Sequence, residues 1–346
     1  MNETILEPQL PIIDAHHHLW DRRAHLLRNQ PPRRPHGFNN VNQQAPRYLL
    51  DELLTDLGRG HNIQATVYVE CGAFFRADGP AELCVVGETE FVNGVAAMSA
   101  SGLYGAVRAC AAIVGRADLT LGPRIREVLE SHLRAGGNRF RGIRQIGAWD
   151  PEPAVLGHLA GLPPGLYRDA RFRAGFAELE PLGLSFDAWL LEPQLSDLAD
   201  LARAFPVTQI ILDHLGTPVG IASYEGQREQ RFPKWRDSIR ALAELPNVAV
   251  KLGGLGMVFP GFPSFMAGVP CTSAQLAEQW RPYVETCIDA FGVHRAMFES
   301  NFPVDFCTCS YDVLWNTFKR LTSGCSPEEK AALFGGTAAR IYRLAL

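Results

Sequence analysis

The residues best suited to chemistry are two histidines at the end of the first hydrophobic segment. This segment runs from Ile12 to His18 with the sequence IIDAHHH. Because successive side chains of a strand point to opposite faces, His16 and His18 point to one side and His17 to the other. Neutral imidazole is the commonest ligand of zinc-like ions, and two rings at this spacing can hold one ion. The pattern predicts a metal or substrate site at this strand end.

Polar residues also mark the ends of two later hydrophobic segments. His214 follows the sixth such segment, Glu299 ends the eighth, and Asn301 and Asp305 come shortly after it. By the same alternation, Glu299 and Asn301 share a face. If the segments are parallel strands of a barrel, their carboxyl ends meet at one face, where such barrels hold their active sites. We therefore expect these residues to gather with the two histidines of the first segment.

The elements that must position these residues form an alternating series. Short β-branched segments alternate with amphipathic segments of helical period, and no internal repeat or interdomain linker interrupts them. The predicted strands are 11–14, 65–70, 107–114, 141–144, 184–190, 208–213, 248–252 and 295–299. The predicted helices are 49–57, 124–135, 194–204, 233–245, 273–291 and 311–322.

Eight strand-helix units predict a closed parallel sheet, the (β/α)8 or TIM barrel. A doubly wound open sheet shows the same alternation, but no GxGxxG motif follows the first predicted strand. We expect one domain over residues 1–346, with the barrel proper at about 11–343. The long segments 21–47, 217–231 and 253–272 are expected as loops at the carboxyl-terminal face of the barrel.

Composition excludes several function classes. The 346 residues carry a formal net charge of -4 with no long basic run, which argues against binding to nucleic acids or membrane surfaces. The chain starts without a signal-peptide pattern and contains no apolar stretch of about 18 residues, so a cytoplasmic protein is expected. Its eight cysteines include no CxxC pair and are interpreted as reduced thiols.

Four motifs, taken in order, resemble the amidohydrolase-related lactonases, which include pyrone dicarboxylate lactonase, fuconolactonase and sulfomuconolactone hydrolase. The motifs are DAHHHLW at 14–20, GIR at 142–144, LDHLG at 212–216 and MFESNFPV at 297–304. This resemblance implies an amidohydrolase-superfamily barrel that hydrolyses a lactone or related acyl bond, with His16, His18 and His214 in the site. It further implies that a carboxylate after strand eight activates water and that arginines hold carboxylates of the substrate.

Two departures from this family pattern concern the base and the metal ligands. Asn301 stands where many members carry Asp, and a neutral amide cannot accept a proton from water near neutral pH. Glu299 and Asp305 are therefore the candidate bases. The fifth strand offers Asp187 in place of a usual histidine.

The metal prediction has two forms. In the first, one divalent ion such as zinc is bound by His16 and His18 and completed by His214, Glu299 or Asp187. In the second, no cofactor is present and the histidines polarise the carbonyl as hydrogen-bond donors.

Arg144 and Lys251 are charged residues within apolar strands, where each requires an anionic partner. The partner is either a protein carboxylate or a carboxylate of the substrate. We favour the substrate for Arg144, because a planar guanidinium suits bidentate contact, and a structural ion pair for Lys251. Tyr48, Trp149 and Tyr224, near strand ends and in long loops, are further candidate substrate contacts.

These observations predict a hydrolase that opens a carboxylate-bearing lactone or similar cyclic ester. An amide hydrolase or metal-dependent decarboxylase on the same barrel is one alternative, because a fold does not fix a reaction. A barrel that binds a small metabolite without turnover is another. The expected partner is a small anionic molecule, and a homo-oligomer is left open.

Overall fold

Eight parallel strands form one sheet in the computed structural model, which describes residues 3–23, 25 and 36–345. Each strand pairs with the next one along the chain, and all eight predicted strands are confirmed with small differences at their ends. The strands are β1 (Pro11–His17), β2 (Asn62–Val69), β3 (Arg108–Arg116), β4 (Phe140–Arg144), β5 (Ser185–Ala188), β6 (Ile210–Leu212), β7 (Val248–Leu252) and β8 (Ala296–Phe298).

The first and last strands meet at their carboxyl ends, just beyond β8. The Asn301 amide donates to the His16 carbonyl at 2.9 Å, and the His18 amide donates to the Phe302 carbonyl at 2.8 Å. At the opposite end, a π-helical turn at Ala332–Gly336 lies against β1, and a Cβ added at Gly335 would be 3.5 Å from Ile13. The predicted single-domain (β/α)8 barrel is confirmed, and its closing hydrogen bonds stand where the predicted site residues gather.

Twelve α-helices of the described residues surround the sheet, and all six predicted helices are among them. They are α1 (Asn40–Gln44), α2 (Leu50–Leu57), α3 (Val86–Ala100), α4 (Ile125–Gly136), α5 (Pro153–Leu156), α6 (Ala170–Phe176), α7 (Leu195–Ala204), α8 (Arg228–Ala243), α9 (Ser273–Phe291), α10 (Tyr311–Leu321), α11 (Pro327–Ala331) and α12 (Thr337–Ile341). The sequence analysis missed α3, because its small and apolar residues are spread around the helix instead of forming one stripe. Within the described ranges, no helix combines the length and the hydrophobicity that crossing a membrane requires.

The barrel interior is apolar at one end and polar at the other. Small and aliphatic side chains, including Ala65, Ala112 and Ala249, fill the lower layers. Charged groups such as Arg144 and Lys251 occupy the same strands nearer their carboxyl ends and are buried as well. Buried charges need partners, and the strand ends supply them to one another. The fold therefore builds a packed base beneath a dense polar layer.

Candidate active site

The His-x-His pair at the end of β1 brings two ring nitrogens face to face. The Nε2 atoms of His16 and His18 are 3.2 Å apart, and both side chains are buried. His18 Nδ1 donates to the Val69 carbonyl at 2.8 Å, so its Nε2 is left as an acceptor. Burial lowers the pKa of His16 and His18, and the neighbouring positive charges lower each pKa further. The space between the two nitrogens therefore suits one proton or one metal ion.

Glu299, just beyond β8, contacts two of the three predicted histidines. Its Oε1 accepts from His214 Nδ1 at 2.6 Å, and its Oε2 lies 2.8 Å from His16 Nδ1. Burial raises the pKa of Glu299, but the charges that His214 and His16 carry when protonated outweigh this effect and hold the pKa at about 2. Glu299 is therefore an ionised carboxylate that orients two imidazoles.

Lys251, on β7, lies beneath the histidines and is fully buried. Its Nζ is 2.6 Å from Asp187 Oδ1, 3.1 Å from Asp213 Oδ1 and 3.1 Å from His16 Nδ1. The Tyr342 hydroxyl donates to the same Asp187 oxygen at 2.6 Å. Burial lowers the pKa of Lys251, but the two carboxylates raise it above its ordinary value. These contacts support the structural ion pair.

Arg144, at the end of β4, is engaged by protein groups on every side. Its Nε donates to Glu70 Oε1 at 2.8 Å, and its Nη2 donates to the Glu70 carbonyl. Its Nη1 lies 3.4 Å from His16 Nε2 and 3.5 Å from Asp213 Oδ2. Burial lowers the pKa of Arg144, and Glu70 and Asp213 more than reverse this effect. The guanidinium therefore borders the site with its charge already balanced.

The charge balance of this layer and its donor atoms fit a divalent cation. Among the described residues, this layer holds four buried carboxylates, Glu70, Asp187, Asp213 and Glu299, and two buried Arg or Lys side chains, Arg144 and Lys251. Within the described residues, both Asp213 oxygens and Glu299 Oε2 make ion-pair contacts but accept no hydrogen bond of good geometry. With a metal ion in place of the proton between the two Nε2 atoms, the hydrogen of the His16 ring would be on Nδ1, which faces Glu299 Oε2.

Two donor sets are available for such an ion. One is the pair of Nε2 atoms of His16 and His18. The other consists of His16, Asp213 and His214, whose ligand atoms lie within 4.8 Å of one another. The second set includes Asp213, which the sequence analysis did not consider as a ligand although it precedes His214 directly. The residues present therefore fit one divalent ion.

Asn301 and Asp305 form a separate pair beyond β8. Asn301 Nδ2 donates to Asp305 Oδ1 at 2.8 Å, and the Gly256 amide donates to Asp305 Oδ2 at 3.0 Å. Burial raises the pKa of Asp305 to about 7, although the charge of His214 opposes the rise. A carboxyl group with this pKa is well matched to proton transfer near neutral pH. Asn301 has a φ of 54°, and β8 ends at Phe298, so strand alternation does not govern where Glu299 and Asn301 point.

A cavity of about 440 Å³ opens above the polar layer. His18 and Arg144 border it, together with aromatic residues and two further arginines, Arg22 and Arg116. The complete lining is His18, Trp20, Asp21, Arg22, Phe38, Glu70, Cys71, Gly72, Ala73, Phe74, Arg116, Arg144, Ile146, His158, Leu159, Trp189 and Val304. A small molecule in this cavity would meet His18 at one wall, with His16 buried behind it.

The other predicted substrate contacts lie elsewhere. The Tyr48 hydroxyl is in the core and donates to Asp56 at 2.8 Å. The Tyr224 hydroxyl donates to Asp150 at 2.7 Å, and Tyr224 lines a second surface cavity. The Trp149 backbone bonds to the side chain of Gln194. Tyr48, Tyr224, Trp149 and Lys251 are all outside the lining that the described residues form, and their substrate contacts stay predictions.

Two cavity residues, Arg22 and Arg116, were missed by sequence reasoning. Arg116 is the last residue of β3, whereas the predicted strand ended two residues earlier. Arg22 belongs to the predicted long loop 21–47, of which residues 24 and 26–35 lie outside the described residues. Arg116 comes two residues after Val114, where the predicted strand ended, so strand alternation places both on the same side. This spacing was the signal that could have identified Arg116.

Two relatives among known proteins are similar to this chain, one over nearly its whole length and one over about half of it. An uncharacterized protein, y4mH, of Sinorhizobium fredii is 37% identical over 341 residues, which cover 97% of this chain and 99% of the relative. An L-fucono-1,5-lactonase of Burkholderia multivorans is 33% identical over 177 residues, 51% of this chain and 57% of the relative.

A solved amidohydrolase structure from Burkholderia multivorans, described with bound zinc, has a TM-score of 0.69 at 26% identity and covers 96% of this chain and 99% of its own. The family model described as Amidohydrolase matches residues 13–344. The motifs, the barrel and the histidine site agree with this match over nearly the whole length. The chain is therefore a hydrolytic enzyme and belongs to the amidohydrolase family.

Proposed function

We propose that this enzyme opens a carboxylate-bearing lactone by water attack to give the corresponding hydroxy acid. The observation that carries the proposal is His18 at the wall of a cavity that arginines also line, with His16 behind it at 3.2 Å between the two Nε2 atoms. The relative named L-fucono-1,5-lactonase supports the lactone as the reacting group.

The reaction needs a polarised carbonyl and an activated water. A water oxygen bonds to the lactone carbonyl carbon, the ring carbon–oxygen bond breaks, and the departing alkoxide takes up a proton. Arg144, which borders the cavity, would stabilise the charge that develops on the carbonyl oxygen, and His18, the cavity-facing member of the pair, would contact the substrate next to it. The new carboxylic acid then ionises in water.

We assign the general base to Asp305. Glu299 has a pKa of about 2 and is held between two imidazoles, so it is a poor proton acceptor near neutral pH. Asp305 is buried directly after the lining residue Val304, and burial raises its pKa to about 7, so it would accept a proton from water and return it to the alkoxide. Glu299 keeps His214 and His16 in place, as a carboxylate does behind a catalytic imidazole.

A divalent ion fits the same residues. His16 would hold it, together with His18 or with His214 and Asp213. When bound, such an ion supplies Lewis-acid polarisation of a carbonyl or of water. The zinc described in the Burkholderia multivorans amidohydrolase structure supports this assignment.

Replacing His16 with Ala tests the proposal. Turnover of a lactone panel that includes L-fucono-1,5-lactone and carboxylated lactones should fall at least about 100-fold, since one catalytic polar group contributes roughly that much. The exposed His294 offers a matched control, and H294A should retain wild-type rates. Unchanged hydrolysis in H16A would contradict the proposed site. Release of carbon dioxide or ammonia from any substrate would contradict simple ring opening.

A further inference from the structure

We infer that Arg116, assisted by Arg22, is the residue that binds the carboxylate of the substrate and makes the enzyme prefer an anionic lactone. This inference rests on the proposed function and deepens it, because it names the specificity residue. It also replaces Arg144, which the sequence analysis favoured for this role.

The position of Arg116 places it beside the catalytic groups. It ends β3, and its register partner on the neighbouring strand is Arg144, which ends β4. Adjacent strands lie roughly 4.8 Å apart, and paired residues of parallel strands point to the same side of the sheet. Both guanidinium groups therefore border the same cavity. Arg144 lies 3.4 Å from His16 Nε2, and Arg116 stands on the strand before it.

The two arginines differ in how their charge is used. Arg144 is 6% exposed and donates twice to Glu70, through Nε and Nη2. The side chain of Arg116 is 46% exposed, and its Nη1 lies 3.8 Å from Glu70 Oε2, beyond hydrogen-bond distance. The Arg116 guanidinium makes no hydrogen bond to a side chain or carbonyl of the described residues. The donors of Arg116 are therefore available to a ligand, whereas Nε and Nη2 of Arg144 are committed to Glu70.

Arg22 adds a second unbalanced charge to the cavity. Its Nη2 donates to the Cys71 carbonyl at 2.7 Å, its Nη1 donates to Asn42 Oδ1 at 3.2 Å, and its guanidinium lies 4.3 Å from the centre of the Trp20 ring. All three partners are neutral. The nearby carboxylate of Asp21 is paired with Arg23.

The lining therefore has a net positive charge. Its two carboxylates, Glu70 and Asp21, are already paired with Arg144 and Arg23. Arg116 has only the 3.8 Å contact with Glu70, and Arg22 has no acidic partner among the described residues. A neutral sugar lactone would leave both guanidinium groups without a counter-charge. A lactone with a ring carboxylate would supply one through the planar, bidentate contact that arginine favours.

The test compares R116Q and R116K on two matched substrates, a γ-butyrolactone that bears one ring carboxylate and its methyl ester. For R116Q, KM for the carboxylated substrate should rise by about 10- to 100-fold while kcat changes little, as expected for loss of one charge-assisted contact. The methyl ester should show no such rise, and R116K should restore part of the affinity. R126Q removes an arginine whose side chain is similarly exposed, at 47%, and should behave as wild type.

Several outcomes would overturn the inference. If R116Q raises KM equally for the two substrates, or if the wild type prefers the methyl ester, Arg116 does not recognise the carboxylate. If the wild type hydrolyses neither substrate, the lactonase proposal fails, and the carboxylate site is tested by calorimetry with the hydroxy-dicarboxylate product. Weaker binding by R116Q than by the wild type would then support the inference, and equal or absent binding would overturn it.

Discussion

Replacing Lys251 with Met should strongly destabilise the protein, because it leaves buried carboxylates without their cation. Lys251 is 0% exposed, and its Nζ lies 2.6 Å from Asp187 and 3.1 Å from Asp213. Met is chosen because it retains an unbranched apolar chain of similar length. No water can replace the lost charge without opening the packed barrel interior.

The expected magnitude follows from these two contacts. Removing one partner of a buried ion pair costs about 3–5 kcal/mol. Asp213 keeps Arg144 at 3.5 Å, so the main loss arises at Asp187, and we expect a decrease of about 4 kcal/mol in the free energy of unfolding. The carboxylates freed by the substitution should have raised pKa values in the folded state. A carboxyl pKa above its unfolded value favours folding at low pH, and that contribution is lost as the pH rises. The deficit of K251M should therefore be larger near pH 8 than near pH 5.

The assay is urea unfolding followed by circular dichroism and tryptophan fluorescence at several pH values. The double variant D187N/K251M is the control, because the Asn amide oxygen still accepts from the Tyr342 hydroxyl and the buried charge is gone. It should recover about half or more of the lost stability. A K251M protein within about 1 kcal/mol of the wild type would refute the reasoning, as would a deficit that grows as the pH falls.

Two further predictions concern the base and the metal. In the wild type, kcat/KM should fall as the pH drops below about 7, because Asp305 takes up a proton with a pKa raised by burial to about 7. D305N should lose this limb of the profile and about 100- to 10,000-fold in rate, and a D305N enzyme with an unchanged profile would exclude Asp305 as the base. Elemental analysis of the purified enzyme should find about one divalent ion per chain, reduced by a chelator and by H16A but not by H294A. A metal-free wild type with full turnover would assign carbonyl polarisation to the histidines alone.

Local patterns in the sequence determined much of this molecule. The period of two along a strand correctly predicted that His16 and His18 converge, and their Nε2 atoms are 3.2 Å apart. The alternation of strand and helix segments predicted the barrel, because each buried strand needs a covering helix and eight such units close a sheet. Closure then brings the ends of β6 and β8 to β1, as the contacts of Glu299 with His214 and His16 confirm.

The choice of partners among the charged groups was decided by the tertiary structure alone. Arg144 pairs with Glu70, and Lys251 pairs with Asp187 and Asp213, because strand register and barrel closure bring these residues together. Such pairings join residues far apart in the chain, so no local period encodes them.

Side-chain directions at the strand ends were also decided by the tertiary structure and not by the sequence pattern. His214 and Asn301 have positive φ angles, and strand alternation cannot predict where side chains point once the strand conformation has ended. Sequence reasoning missed Arg116 because the availability of its guanidinium depends on a tertiary contact, the pairing of Glu70 with Arg144. The sequence by itself determined which residues reach the carboxyl-terminal face of the barrel. Only the three-dimensional arrangement decided which charges are balanced there and which stay available for a substrate.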